Sequence, residues 1–270
     1  MIFLLLLCLG VVAGILAGLF GVGGGILFTP ILYFIFSGQE VLNPVTWTIG
    51  TSLFCTFTAS FSSSVQQFRQ HNHFLKQGLR VGILGAAGVY LGKMVVVSPF
   101  YTEKVFVTLF AVVLIFVSAM FYRRGNRKAS GDAKVNPDKV LWDKASLTGG
   151  FGGFVAALAG VGGGGVMVPI MNLVYRIEIS RAVSISSLAI VIISLSGWLQ
   201  FALFTDGGTG LTPYALGSVD FGTALPLIIG ALAGGYAGVR ITKIVSEHIL
   251  QKWFSVLVII VAAMMIYQTF

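Results

Sequence analysis

The sequence predicts an all-α polytopic membrane protein made of two inverted repeats, each a glycine-broken re-entrant hairpin plus three transmembrane helices, eight apolar segments in total. Three observations predict it: an extreme apolar composition, an internal repeat centred on runs of glycine, and a distribution of basic residues that only one topology makes asymmetric. Of 270 residues, 56% are hydrophobic and 10% charged, and the mean hydropathy is +0.94. These values lie outside the range of ordinary soluble domains. Runs at 1–20, 105–122, 182–204 and 254–267 approach or exceed the roughly 20 apolar residues that cross a bilayer about 30 Å thick.

The first run holds no basic residue before residue 8, and no small-residue cleavage site leads into a soluble domain, so it reads as mature structure rather than a signal peptide. It continues into GILAGLFGVGGGILFTP at 14–30, which lies over GFVAALAGVGGGGVMVP at 153–169 with nine of seventeen positions identical. The register continues more weakly, with Thr51-Ser52 over Ser186-Ser187, Gln66 near Gln200, and Gly88 and Gly92 over Gly234 and Gly238. The halves are 1–122 and 146–270. Between them, 123–145 is polar, basic and rich in Gly, Asn and Asp, as a solvated linker is.

The formal charge of +8 does not point to nucleic acid, because the basic residues flank hydrophobic runs. If all eight segments cross, they divide ten against seven between the linker side and the other side. If the glycine-broken segments are hairpins that enter and leave on one face, fifteen fall on the linker side and only Lys93 and Lys104 remain opposite. The positive-inside rule selects the second arrangement, which inverts the second half and puts the linker in the cytoplasm.

Within each hairpin, consecutive glycines cover every face of a helix, so helix packing alone does not account for them; they interrupt the helix and let another begin. A helix restarted inside the membrane presents unpaired N–H groups and a positive dipole end, whose natural complement is an anion. The candidate substrate-binding residues are therefore Gly23, Gly24 and Gly25 with Gly162, Gly163, Gly164 and Gly165. Ser52, Gln66, Ser187 and Gln200 join them from the polar stripes of the following segments. Thr48, Thr51, Cys55, Thr58 and Ser62 share the first stripe, and Ser180, Ser184, Ser194 and Trp198 the second. For these, hydrogen bonding to their own backbone is the competing account. Gly78, Gly82, Gly230, Gly234 and Gly238 recur at four-residue spacing and read as helix-packing positions.

Other chemistry is poorly supported. The Lys and Ser/Thr that complete a nucleotide P-loop are missing. Cys8 and Cys55 sit inside apolar runs as small hydrophobes. His71 and His73 lie in a basic loop and read as surface, and Arg80 and Arg240 read as interfacial anchors. Asp220 is placed near a helix start and Glu40 in a loop, so no carboxylate is assigned to the bilayer centre. No catalytic constellation, metal cluster or cofactor motif is present in the sequence.

The paired motifs GLFGVGGGILFTP and ALAGVGGGGVMVP, the eight apolar segments and the polar central loop together resemble the TauE/SafE sulfite exporter family over essentially the whole chain. The resemblance implies a prokaryotic inner-membrane transporter that moves sulfite, an organosulfonate or a related small anion. Its partners would then be that anion and the lipid bilayer, with a homo-oligomer left open. A cell interior negative by about 100 mV expels a monovalent anion with roughly 2.3 kcal/mol, enough for export without a coupled ion. Uptake of a sulfur compound or carboxylate, or a non-transporting membrane factor of sulfur metabolism, are the alternatives. Valine at Gly24 or Gly163 is expected to impair transport more than valine at Gly234, provided Gly234 tolerates a side chain.

Overall fold

The computed structural model describes residues 2–20, 24–39, 41–70, 75–126, 142–175, 177, 179–241 and 247–269. Gly23, Glu40, His71, His73 and most of the linker lie outside these, as do the side chains of Gln66 and Arg240. The described chain is a bundle of helices, as expected where no water satisfies exposed backbone groups. The first half comprises α1 (Ile2–Phe20), α2 (Gly25–Gly38), α3 (Pro44–Gln70), α4 (Leu75–Val96) and α5 (Glu103–Asn126). The second comprises α6 (Trp142–Ala159), α7 (Gly164–Leu173), α8 (Ile179–Leu203), α9 (Phe221–Ile241) and α10 (Glu247–Thr269). A two-stranded antiparallel ribbon, β1 (Ala215–Leu216) and β2 (Val219–Asp220), precedes α9. Each glycine-rich segment is thus two helices, α1–α2 and α6–α7, with the glycines between them.

Helices 75–96, 103–120 and 181–203 are long and apolar enough to cross a bilayer on their own account. Large apolar side chains such as Ile83, Leu91, Val112, Ile115, Ile259 and Ile260 are exposed on α4, α5 and α10, facing outward as lipid-facing residues do. Inside, Tyr33, Trp47, Phe106 and Phe110 are completely buried.

The packing repeats between the halves. α1 lies along α9 as α4 lies along α6, and α3 pairs with α8 as α5 pairs with α10. Small residues make the two long contacts close enough for backbone to meet backbone. A Cβ on Gly230 or Gly234 would come within 2.2 or 2.1 Å of the carbonyls of Leu7 and Val11, and one on Gly88 within 1.9 Å of Gly150 O. Gly234 is therefore not a tolerant position, and the condition attached to comparing it with Gly24 and Gly163 is not met. Gly78 and Gly82 pack on Leu188 and Ile192 of α8, in line with their reading as packing residues.

Hydrogen bonds tie helix ends together. Lys93 Nζ, near the end of α4, donates to Phe204 O just after α8 (3.0 Å), and Trp47 Nε1, near the start of α3, donates to Gly207 O (3.0 Å). Tyr33 of α2 donates to Glu103 Oε1 at the start of α5 (2.7 Å) and lies 2.7 Å from Thr269 Oγ1 at the end of α10. The Asp220 carboxylate accepts from Thr212 N and Oγ1 (2.9 and 2.6 Å) and from Thr223 N (3.0 Å), so it caps α9 at the helix start where the sequence places it.

Candidate functional site

Both interrupted segments restart in the same way. Gly24 (φ 74°) and Gly163 (φ 78°) adopt the left-handed conformation that side chains disfavour, immediately before α2 and α7, and neither helix has a side-chain cap. Leu27 N and Phe28 N bond to Gly24 O, and Val166 N and Met167 N bond to Gly163 O. The N–H groups of Gly25, Ile26, Gly164 and Gly165 precede these first helical bonds and have no acceptor within their own helix. Pro30 and Pro169 sit inside the two restarted helices at matching distances from the breaks.

The two breaks meet. A Cβ on Gly25 would lie 2.5 Å from Val161 O and 2.8 Å from Thr56 Oγ1, and one on Gly162 would lie 2.5 Å from Thr56 Cγ2. Gly165 faces Ile26, the residue it aligns with in the repeat. Ser52 Oγ and Thr29 Oγ1 stand 2.9 and 3.0 Å from Gly160 O and 2.8 Å from each other, so α3 and α2 grip the second break together. Tyr101, in the turn before α5, donates to Leu158 O at the end of α6 (2.6 Å). Burial raises its phenol above the ordinary range and keeps it a donor.

Of the residues singled out in the sequence, the structure gathers Gly24, Gly25, Gly162, Gly163, Gly164, Gly165 and Ser52 at this junction. Ser187 is buried but donates to Ser184 O of its own helix (2.9 Å). Thr48, Thr58 and Ser194 likewise bond to their own backbone, as the competing account of the stripes holds. Gln200 donates to Ser196 Oγ (2.9 Å), while its buried Oε1 has no partner.

Thr29 and Thr56 were not singled out. Thr56 is fully buried, and its hydroxyl, between the two breaks, has no hydrogen-bond partner. One turn further along α3, the Ser60 hydroxyl is also buried and unpartnered. Toward the opposite end of α3, Trp198 packs edge-on against Phe54 and Phe221, with its indole N–H buried and unpartnered. Beyond it, the hydroxyls of Ser218 and Thr223 are in the same condition. Ser52, Thr56 and Ser60 recur at four-residue spacing, the one signal from which sequence could have placed them on a shared face.

No Lys, Arg, His, Asp or Glu occurs in 44–68, 145–175 or 182–203, and none in α1 or α2. Among the described residues no group of three or more His, Cys, Asp or Glu could hold a metal ion. The arrangement offers a neutral hydroxyl and two helix starts in a buried interior, surroundings that can complement an anion.

Comparison with known proteins places the chain among membrane transporters. The family model described as "Sulfite exporter TauE/SafE" matches residues 6–265. A "probable membrane transporter protein" of Methanocaldococcus jannaschii is 30% identical over 246 residues, 91% of this chain and 88% of that protein. The probable membrane transporter protein YunE of Bacillus subtilis is 26% identical over 99% of this chain and 98% of its own length. A third, from Haemophilus influenzae, is 25% identical over 96% of each. No solved structure matches.

Proposed function

The chain belongs to the TauE/SafE sulfite exporter family, and on that premise we propose that it exports a small sulfur-containing anion, sulfite or an organosulfonate, through a site formed where its two glycine breaks meet. It is an integral membrane protein, as its apolar helices and its transporter relatives require. The observation that carries the substrate site is Thr56: a buried, unpartnered hydroxyl set against Gly25 and Gly162, beside the starts of α2 and α7. A buried hydroxyl without a partner costs about 1–3 kcal/mol, a cost that a bound oxyanion would remove.

We read 1–122 and 146–270 as inverted repeats joined by the linker 123–145, in a prokaryotic inner membrane with the linker cytoplasmic. The exchange of contacts between halves supports this, as do the helix ends. In a parallel arrangement of eight crossings, Lys93 and Phe204 would lie on opposite faces, and so would Trp47 and Gly207, and Glu103 and Thr269. Each of these pairs is bridged directly or through one side chain. Inversion brings both helix starts to one depth, each contributing about half a positive charge. Alternating access or gating of one repeat against the other would then expose the site to each face in turn. The orphaned polar atoms of Ser60, Thr56, Trp198, Ser218 and Thr223 support a path along α3 and the ribbon.

Purified protein in liposomes, loaded with radiolabelled sulfite and given a negative interior potential, should release the label faster than protein-free vesicles. Flux at the protein-free level would overturn transport. Flux driven only inward, against the potential and toward an added ion, would replace export by coupled uptake.

A further inference from the structure

Building on the anion site proposed above, we propose that its occupant carries a single negative charge, so that hydrogen sulfite and monosulfonates are accepted and dianions such as fully ionised sulfite or sulfate are refused. The site's positive field comes from two helix starts, each equivalent to roughly half an elementary charge, so together they balance about one. No side chain adds to it. The flanking stretches α1, α2, 44–68, 145–175 and 182–203 contain no Lys, Arg or His. Stripping a second, unbalanced charge of water in such an interior costs several kcal/mol.

The basic residues of α3, α5, α6 and α8 lie in their end turns, Arg69, Lys104, Arg123, Arg124, Lys144 and Arg181, outside the stretches that flank the breaks, and the other titratable groups of these helices are acidic or neutral. Cys55 adjoins Thr56 and is buried in an apolar cluster. The Tyr101 hydroxyl is committed to Leu158 O. Tyr33 is engaged with Glu103 at the far end of α2. Asp220, whose backbone N–H donates to Thr51 Oγ1 on α3, has its carboxylate held by Thr212 and Thr223.

The second line of observation is the Thr56 hydroxyl, 0% exposed, unpartnered and 2.8 Å from the Cβ position of Gly25. With the N–H groups at the starts of α2 and α7, it gives three neutral donors from three elements. That set suits the oxygens of a monovalent oxyanion, whereas dianion sites elsewhere recruit Arg or Lys.

The test is the pH dependence of flux in proteoliposomes at fixed total anion and fixed potential, with sulfite and methanesulfonate as the probes. Measurements one pH unit below and one above the second ionisation of sulfurous acid change the monoanion fraction about tenfold. Sulfite flux should fall by about that factor, while methanesulfonate, singly charged throughout, should cross at an unchanged rate. Sulfite flux that holds or rises with pH, sulfate carried at the rate of sulfite, or refusal of methanesulfonate while sulfite crosses would each overturn the charge assignment and leave the transport reading intact. Absence of flux for both probes would instead overturn the transport reading, and this inference with it. Thr56→Val should lower the flux of both probes about fivefold without altering either pH profile; unchanged flux would remove the hydroxyl from the site.

Discussion

Gly25 lies so close to Val161 that a Cβ on the glycine would come within 2.5 Å of the valine carbonyl oxygen, which makes the first residue of α2 part of the wall of the second glycine break. Gly25→Ala should therefore push the two breaks apart. Flux should drop by at least about tenfold, since sub-ångström displacement of a binding constellation readily costs that much. Gly38→Ala is the matched control, because nothing lies within 4 Å of its Cβ position. Equal flux in the two variants at equal expression would show that close approach of the breaks is not required.

Valine at Gly24 or Gly163 acts differently, through backbone conformation. Both residues hold φ values of 74° and 78°, which a β-branched residue adopts only with strain of order 1–3 kcal/mol. Transport should fall sharply in both. Gly234→Val should fall too, but by separating α9 from α1, so thermal stability in detergent distinguishes it. The Gly234 variant should lose stability, while glycine-break variants that retained normal flux would sink the proposed site.

Thr56→Val makes an unusual pair of demands. Removing an unpartnered buried hydroxyl should raise stability by about 1 kcal/mol, seen as a higher unfolding midpoint, while transport falls. A residue kept only for packing would not move the two readouts in opposite directions. A lower midpoint with unchanged flux would contradict the assignment.

Ser52 and Thr29 should behave as one unit. Each hydroxyl has one proton, yet the two face three short contacts among themselves and Gly160 O, so removing either redirects the other. Ser52→Ala and Thr29→Val should each destabilise by about 1 kcal/mol, and the double variant by measurably less than the sum, with coupling of at least about 0.5 kcal/mol. Strict additivity in denaturation would show that the pair does not jointly hold the second break.

The repeat, the broken helices and the position of both breaks were legible because consecutive glycines have few other uses in a membrane helix and because the same run occurs twice. Asp220 was legible as a residue near a helix start, since a carboxylate in an apolar chain has few tolerable places. Thr56 was not. Whether a membrane threonine bonds its own preceding turn, as Thr48 and Thr58 do, or leaves that bond unmade is decided by what stands opposite it. The stripe drawn through Cys55 passed one residue to the side of the line Ser52, Thr56, Ser60. Ser187 shows the converse: its repeat partner Ser52 reaches across to Gly160, while Ser187 turns back on Ser184. Sequence symmetry does not compel side chains to share a rotamer.

Topology decides whether the two helix starts can face one occupant, and it has a direct test. With Cys8 and Cys55 replaced, single cysteines at Gly38, Ser130, Glu178, Gly208 and Glu247 are exposed to an impermeant thiol reagent in intact cells. Inverted repeats require Gly38 and Gly208 to label from outside, and Ser130, Glu178 and Glu247 only after lysis. Eight parallel crossings would put Glu178 and Glu247 outside and Gly208 inside, reversing all three results. The bond from Lys93 to Phe204 joins the end of α4 to the end of α8, so those ends must share a face, and Gly208 lies four residues beyond Phe204. Labelling of Gly208 only after lysis, with Glu178 and Glu247 labelled from outside, would break that link. It would leave a membrane protein of the same family whose glycine breaks no longer converge on a shared anion site.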